Sequence, residues 1–386
     1  MTTKKPLATK YAMIETKIPI CENETLAGRL MIPSLLPRAS AFLRFPLHQQ
    51  QETNSLSMKR LSPLGMSEIP WNLMSIGQTA MLIEVSAPKP GNVSRAAEFS
   101  DMDYRNFLVS ASFIGRALHD AAVRGVALAQ EKIVAADVAL GNLIQEATRN
   151  TLSGLNRRNT VLGTILMYIP LTVAMGAMLE ETGVFTTETL KRWLDVIISQ
   201  TTVEDTVDLY RAFDMANPGG SMIREQSVWK EVHDRFDIDN PNVIQNVLED
   251  RLTLHELFEI SRTVDEISDQ WASRFTGVLD EVLPHLRDSS SRLEDLEEGV
   301  VETFVWLLAK RPDGLIVKKA GAAEAERVRD LAEKAVRHWK GDTSNLLADL
   351  DSVLRSDGNT LNPGTTADLV STAVFCRLVE MSYGNT

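Results

Sequence analysis

The sequence predicts an all-α protein, and three observations carry that reading. Ala, Leu, Val and Met dominate a composition that is 44% hydrophobic and only 6% aromatic, which suits packed helices better than sheets. Apolar residues recur at three- and four-residue steps, and few segments alternate as a half-buried strand would. Residues 161–179 run for nineteen positions without a charge. At 386 residues the chain can form one large domain or two ordinary ones with ample core. The expectation is a single large bundle of about ten or more helices over residues 66–386, with a central buried apolar helix.

The elements follow in order. Residues 1–65 carry nine Lys/Arg against four Asp/Glu, prolines that include Pro33, Pro37, Pro46 and Pro63, and a polar run at 49–57. They read as a basic, flexible or loosely packed extension. A translated leader before Met66 and a transit peptide are the alternatives, the latter opposed by Glu15, Glu22 and Glu24. Residues 71–86 place Leu73, Ile76, Ala80 and Ile83 on one helical stripe. That helix must end at Pro88-Lys89-Pro90-Gly91, since proline cannot continue it and restrains the residue before it. Helices are predicted over 104–130, interrupted near Gly125, and over 133–148. The uncharged run contains Pro170 and approaches bilayer-spanning length, but a helix buried on all sides reads the same way and is the preferred reading. Further helices are predicted over 187–198, 203–215, 242–250, 253–283, 292–309, 322–339, 344–355 and 365–381. No short-period repeat suggests a solenoid.

Charge and cysteine content exclude several classes. The net charge of −12 argues against a nonspecific nucleic-acid binder. Two cysteines without a CxxC support neither a zinc knuckle nor a redox dithiol, and a reducing cytoplasm is the expected location. No P-loop, HExxH or GxSxG is present, and the six histidines are dispersed as surface or helix-face residues. Any catalysis should rest on carboxylates, lysines and backbone amides.

Three loops combine Pro-Gly with small polar residues: PKPGN at 88–92, NPGGS at 217–221 and NPGTTAD at 362–368. The third opens into a helix that Thr365 or Thr366 can cap, with Asp368 in its first turn; such a terminus suits a phosphate. Singly, each is an ordinary helix connection. Asp205 and Asp208 lie three apart on a predicted helix and can share a face, which suits a divalent cation as well as a solvated acidic surface.

Taken in order, these stretches resemble the triphosphoribosyl-dephospho-CoA synthase family. The likeness runs from Glu84-Val85-Ser86 and Pro88-Lys89-Pro90-Gly91-Asn92-Val93 through Phe99-Ser100-Asp101 and Phe107-Leu108-x-Ser110-Ala111. It continues with Asn159-Thr160-x-Leu162-Gly163, then Asp205 and Asp208 ahead of Asn217-Pro218-Gly219-Gly220. Asp313-x-Leu315-Ile316 precedes Lys318-Lys319-x-Gly321, and Pro363-Gly364-x-x-Ala367-Asp368-Leu369 closes the series. The Val161-Leu162-Gly163 step, where citrate-lyase-associated members have His-Lys-Gly, and Asp269, where an Arg is expected, bring the chain closer to an archaeal-type branch.

The resemblance implies an all-α transferase that joins the ATP ribose to the 2′-OH of 3′-dephospho-CoA, or a related acceptor, and releases adenine. It implies Mg²⁺ as cofactor, small-molecule partners rather than nucleic acid or membrane, and leaves a homodimer open. On this basis Lys89, Asn92, Asn159, Gly163, Lys318, Lys319, Gly364 and Thr365 are expected to bind nucleotide. Asp205 and Asp208 are expected at the metal, and Asp101 and Asp368 as the stabilising carboxylate and the base. Another phosphate-compound enzyme on the same scaffold, or a non-catalytic helical binding protein, are the alternatives; an enzyme requires the three loops to converge on one pocket.

Overall fold

The computed structural model describes residues 68–153, 155, 158–218, 229–337 and 344–384. The expected basic extension over 1–65 and most of the NPGGS loop lie outside the described residues. Those described form helices, with two isolated antiparallel bridges (Ser94 with Ala97, Phe99 with Met102) in the loop after the first helix. The all-α expectation holds.

The first half comprises α1 (Ile69–Ser86), α2 (Tyr104–Phe113), α3 (Gly115–Ala129), α4 (Leu140–Thr151), α5 (Leu162–Thr182), α6 (Thr187–Ser199) and α7 (Val203–Ala216). The expected single helix over 104–130 is two, parted at Ile114. Gly125 interrupts nothing. It sits within α3, where a Cβ would fall 2.0 Å from the Val173 carbonyl oxygen, so its lack of a side chain lets α3 and α5 meet backbone to backbone. The expected helix over 133–148 is a short 3₁₀ turn (Ala135–Val138) and α4, divided by Ala139 in the left-handed region at φ 50°.

The second half comprises α8 (Glu231–Arg235), α9 (Val243–Asp250), α10 (Leu254–Ser261), α11 (Glu266–Ala272), α12 (Leu283–Leu293), α13 (Leu296–Lys310), α14 (Gly314–Ala320), α15 (Ala322–Arg337), α16 (Ser344–Leu354) and α17 (Gly364–Tyr383). The long helix expected over 253–283 is cut twice. Asp265 caps a new start at α11, and Arg274 and Phe275 take φ of 58° and 62° before a π-helical turn (Val278–Val282) leads into α12. Asp295 caps α13, which moves the expected start at 292 downstream. The short helices α8 and α14 were not expected.

The uncharged run is α5, buried along nearly its whole length, with α3 as its most extensive neighbour and α1, α4, α6 and α17 around it. Pro170 has no N–H to give to the Leu166 carbonyl, a defect that would leave an unsatisfied acceptor in the core. The indole N–H of Trp271 donates to that oxygen at 3.0 Å. Trp271 is fully buried and stacks on Phe258 with ring centroids 4.4 Å apart, so α10 and α11 are fastened to the centre of the bundle. On another face, Tyr168 donates to Ser371 of α17 at 2.9 Å and stacks on Phe375.

Trp271→Phe keeps an aromatic ring but orphans the Leu166 carbonyl. Urea denaturation should show a loss of about 1–3 kcal/mol, the cost of a buried polar group without its partner.

Candidate active site

The N-terminal turns of α5 and α17 meet at the floor of a cleft of about 1160 Å³. One side is formed by α1 and the loop that follows it, with Asn359 and Asn362. The other side is formed by the end of α7, the α8 region, α10 and α11, while the start of α14 closes the cleft. The described parts of the three Pro-Gly loops converge here: Asn92; Asn217 and Pro218; Asn362, Gly364 and Thr365. Asp101, Asn159, Gly163, Lys318, Lys319 and Asp368 line the same space.

The floor is built by close approach. Asn159 Oδ1 accepts the Leu162 N–H at 3.1 Å and so starts α5. The bare Cα of Gly163 receives the Asp368 carboxylate, since a Cβ there would lie 1.9 Å from Oδ2. Thr164 Oγ1 donates to Asp368 Oδ1 at 2.6 Å. Burial pushes Asp368 up to about 7; the Thr164 hydrogen bond opposes this, and the charges of Glu84 and Asp313 add to it. The chain thus holds a carboxyl group that titrates near neutrality, suited to accept a proton.

Asp313 joins two helix starts. Its Oδ1 accepts the N–H groups of Leu315 and Ile316 at 2.9 and 3.0 Å, while Oδ2 accepts the N–H and Oγ1–H of Thr366 at 2.7 and 2.8 Å. The expected threonine cap on α17 is therefore replaced: Pro363 occupies the N-cap and a carboxylate from another loop takes the Thr366 amide. Lys319 donates to the Asn359 carbonyl at 3.0 Å, and Asn359 donates to Asp101 at 3.3 Å. Burial lowers the Lys319 ammonium from its usual range, opposed by Asp101 and Asp313. Asn92, Asn362 and Asn359 form a hydrogen-bonded row at 2.9 and 2.8 Å.

The opposite wall pairs its charges. Asp265 caps α11 through Ser268 and also holds Lys318. Burial pushes the Asp265 carboxyl up, but Lys318 and Ser268 together leave it below its usual range. Glu266 meets Arg311 at 3.0 Å, and burial raises it to about 7 against the pull of that cation. Arg262 binds Asp269 at 2.9 Å.

Three expected site residues lie elsewhere. Lys89 does not line the cleft; it is 1% exposed and turned onto Glu84 and the carbonyls of its own turn. Asp205 is buried at the start of α7. Its Oδ2 accepts from the N–H and Oγ1 of Thr202 at 2.8 and 2.9 Å, and its Oδ1 accepts the Gly141 N–H at 2.8 Å. Asp208 is paired with Arg211 at 2.7 Å. A carboxylate whose oxygens already serve as a helix cap and an inter-helix tie does not fit a metal ligand. Among the described residues no three His, Cys, Asp or Glu side chains gather as a cage. Nucleotide-borne Mg²⁺ needs only one or two carboxylates, and Asp101, exposed on the cleft beside Lys319, fits that need.

The sequence reading missed Glu84, Glu266, Arg311 and His233, all of which line the cleft. His233 is 5% exposed rather than on the surface. Its Nδ1 accepts the Lys230 N–H at 2.8 Å and its Nε2 faces the Ile260 carbonyl at 3.0 Å, which fixes the tautomer with Nε2 protonated.

Fold and cleft together define a class: an all-helical enzyme with a large pocket of paired charges and a carboxyl group poised near neutral pH. Residues 70–386 match the family model described as CitG, ATP:dephospho-CoA triphosphoribosyl transferase, and the chain belongs to that family. It is an enzyme of the triphosphoribosyl-dephospho-CoA synthase type, as its motifs suggested. A similar solved structure is described as "Crystal structure of putative triphosphoribosyl-dephospho-coA synthase from Archaeoglobus fulgidus"; it shares 22% identity over 71% of this chain and 98% of that one, with a TM-score of 0.49. No curated protein matches the sequence.

Two outcomes follow. Asp205→Ala should cost about 1–3 kcal/mol of stability, the loss of a cap and an orphaned amide, and leave nucleotide affinity by calorimetry unchanged. Asp368 binds more protons folded than unfolded between about pH 4, its unfolded value, and its folded value near 7, so its contribution to stability falls as pH rises through that window. Asp368→Asn removes this term, and the Tm of the variant relative to wild type should climb from pH 5 to pH 8.

Proposed function

We propose that this cleft binds ATP with Mg²⁺ at its Lys318–Lys319 side and a dephospho-CoA-like acceptor across the floor, with Asp368 as the base that takes the acceptor hydroxyl proton. The observation that carries this reading is the convergence of the described parts of the Pro-Gly loops (Asn92, Asn217, Pro218, Asn362, Gly364, Thr365), Lys319 and a near-neutral Asp368 on one cavity. Its volume, about 1160 Å³, exceeds the several hundred Å³ typical of a single small ligand and suits two substrates side by side. Lys318 and Lys319 supply charge-assisted donors to phosphate oxygens. Asn92, Asn159, Gly163, Gly364 and Thr365 offer small polar surface where the ribose and phosphates approach the backbone. Asp101 would hold Mg²⁺, which when bound neutralises phosphate charge.

The test is incubation with Mg-ATP and 3′-dephospho-CoA, followed by chromatography for free adenine. Adenine should form only when both substrates are present. Lys319→Ala should raise the KM for ATP about ten- to a hundred-fold, the worth of one hydrogen bond to a charged group. ATP binding without adenine release would move the reading to another acceptor, and the absence of both would overturn it.

A further inference from the structure

The turn after α1 carries a lysine that never reaches solvent. The Lys89 side chain is fully buried, and its ammonium meets the Glu84 carboxylate at 3.1 Å together with the carbonyls of Glu84 and Ala87. The two carbonyls take hydrogen bonds from the ammonium and the carboxylate faces it as an ion pair, all within one turn. Glu84 is 7% exposed, and it lines the cleft that Asp368 also lines. Burying an ion pair seldom adds stability, because apolar residues of similar volume serve as well or better. A pair placed with its cation behind and its carboxylate at the substrate cavity points to a role in the reaction.

We propose that Glu84 is a substrate-facing carboxylate of the transfer reaction and that Lys89 is the residue that positions it. This rests on the function proposed above. As the bond between ribose C1′ and adenine N9 breaks, the electron pair leaves with adenine and positive charge develops on the ribose. The Glu84 carboxylate stabilises that charge. The acceptor 2′-oxygen forms the new bond to C1′ and its proton passes to Asp368. Adenine takes up one proton, so the exchange closes without gain or loss.

The surroundings divide the two tasks. Burial pushes the Glu84 carboxyl up, and the adjacent Lys89 charge and hydrogen bond pull it back. Asp368 is met by the Thr164 hydroxyl and by the charges of Glu84 and Asp313, and among the described residues no cation is paired with it. Tyr168, committed to Ser371, feels the charge of both, and Glu297 adds its charge at Lys89. Burial raises both carboxyl groups, but one is backed by a cation and the other is not.

The decisive variant is Glu84→Leu/Lys89→Met, which replaces the ion pair by apolar side chains. It should fold with a Tm at or above wild type and release adenine at least about a hundred-fold more slowly. Glu84→Gln should lose as much. Lys89→Met alone takes the cation from Glu84, so the anion forms only at higher pH and the acidic limb of kcat/KM should move upward. A folded double variant that releases adenine at the wild-type rate overturns the proposal, as does a Lys89→Met profile with its acidic limb unmoved. Wild-type protein that releases no adenine overturns the functional reading instead, so the two failures are told apart.

Discussion

The hydrogen bond from Trp271 to the Leu166 carbonyl joins the core of this protein to its chemistry. A helix that carries no charge for nineteen residues must be enclosed, and α5 is surrounded by α1, α3, α4, α6, α11 and α17. Pro170 then creates a bare acceptor in a place that water does not reach. The donor that answers it belongs to α11, the helix whose first turn presents Asp265, Glu266 and Asp269 to the cleft. The same α5 supplies Gly163 and Thr164, which hold Asp368 from the other direction. The charged walls are therefore referenced to one buried helix rather than to mobile loops, which is what a site needs to keep its groups in register.

Much of this was legible in the sequence. Composition and periodicity gave the helices, and most of the site residues that the loop chemistry and motifs pointed to line the cleft. What failed did so for definite reasons. The periodic pattern over 253–283 does not reveal that Arg274 and Phe275 adopt left-handed backbone, because neither residue type announces it. Thr366 looks like a cap by spacing, but the Asp313 carboxylate, fifty-three residues earlier, takes its amide. Asp205 looked like a metal ligand beside Asp208; Thr202 three residues before it completes a capping box, a local signal that could have been read first.

Lys89 is the most instructive of these. A lysine between two prolines suggests a cation held out toward a ligand. The stop that Pro88 and Pro90 impose on α1 instead folds the chain back, so that Lys89 lies against the last turn of the helix it follows. The partner, Glu84, is five residues away, a spacing that belongs to no helical face and that pattern rules do not search. Its identity follows from the turn geometry alone.

The charges of the cleft are the last point. Lys318 is held by Asp265, Arg311 by Glu266 and Arg262 by Asp269, so these cations do not wait unpaired for a phosphate. A polyphosphate that enters must draw cations from carboxylates that are themselves costly to leave bare in a partly buried wall. Glu266, which titrates near 7, can take up a proton as Arg311 is drawn away, whereas Asp265, held low by Lys318 and Ser268, keeps its charge. The wall thus holds its cations on carboxylates of unequal kind, Glu266 raised by burial and Asp265 lowered by Lys318 and Ser268.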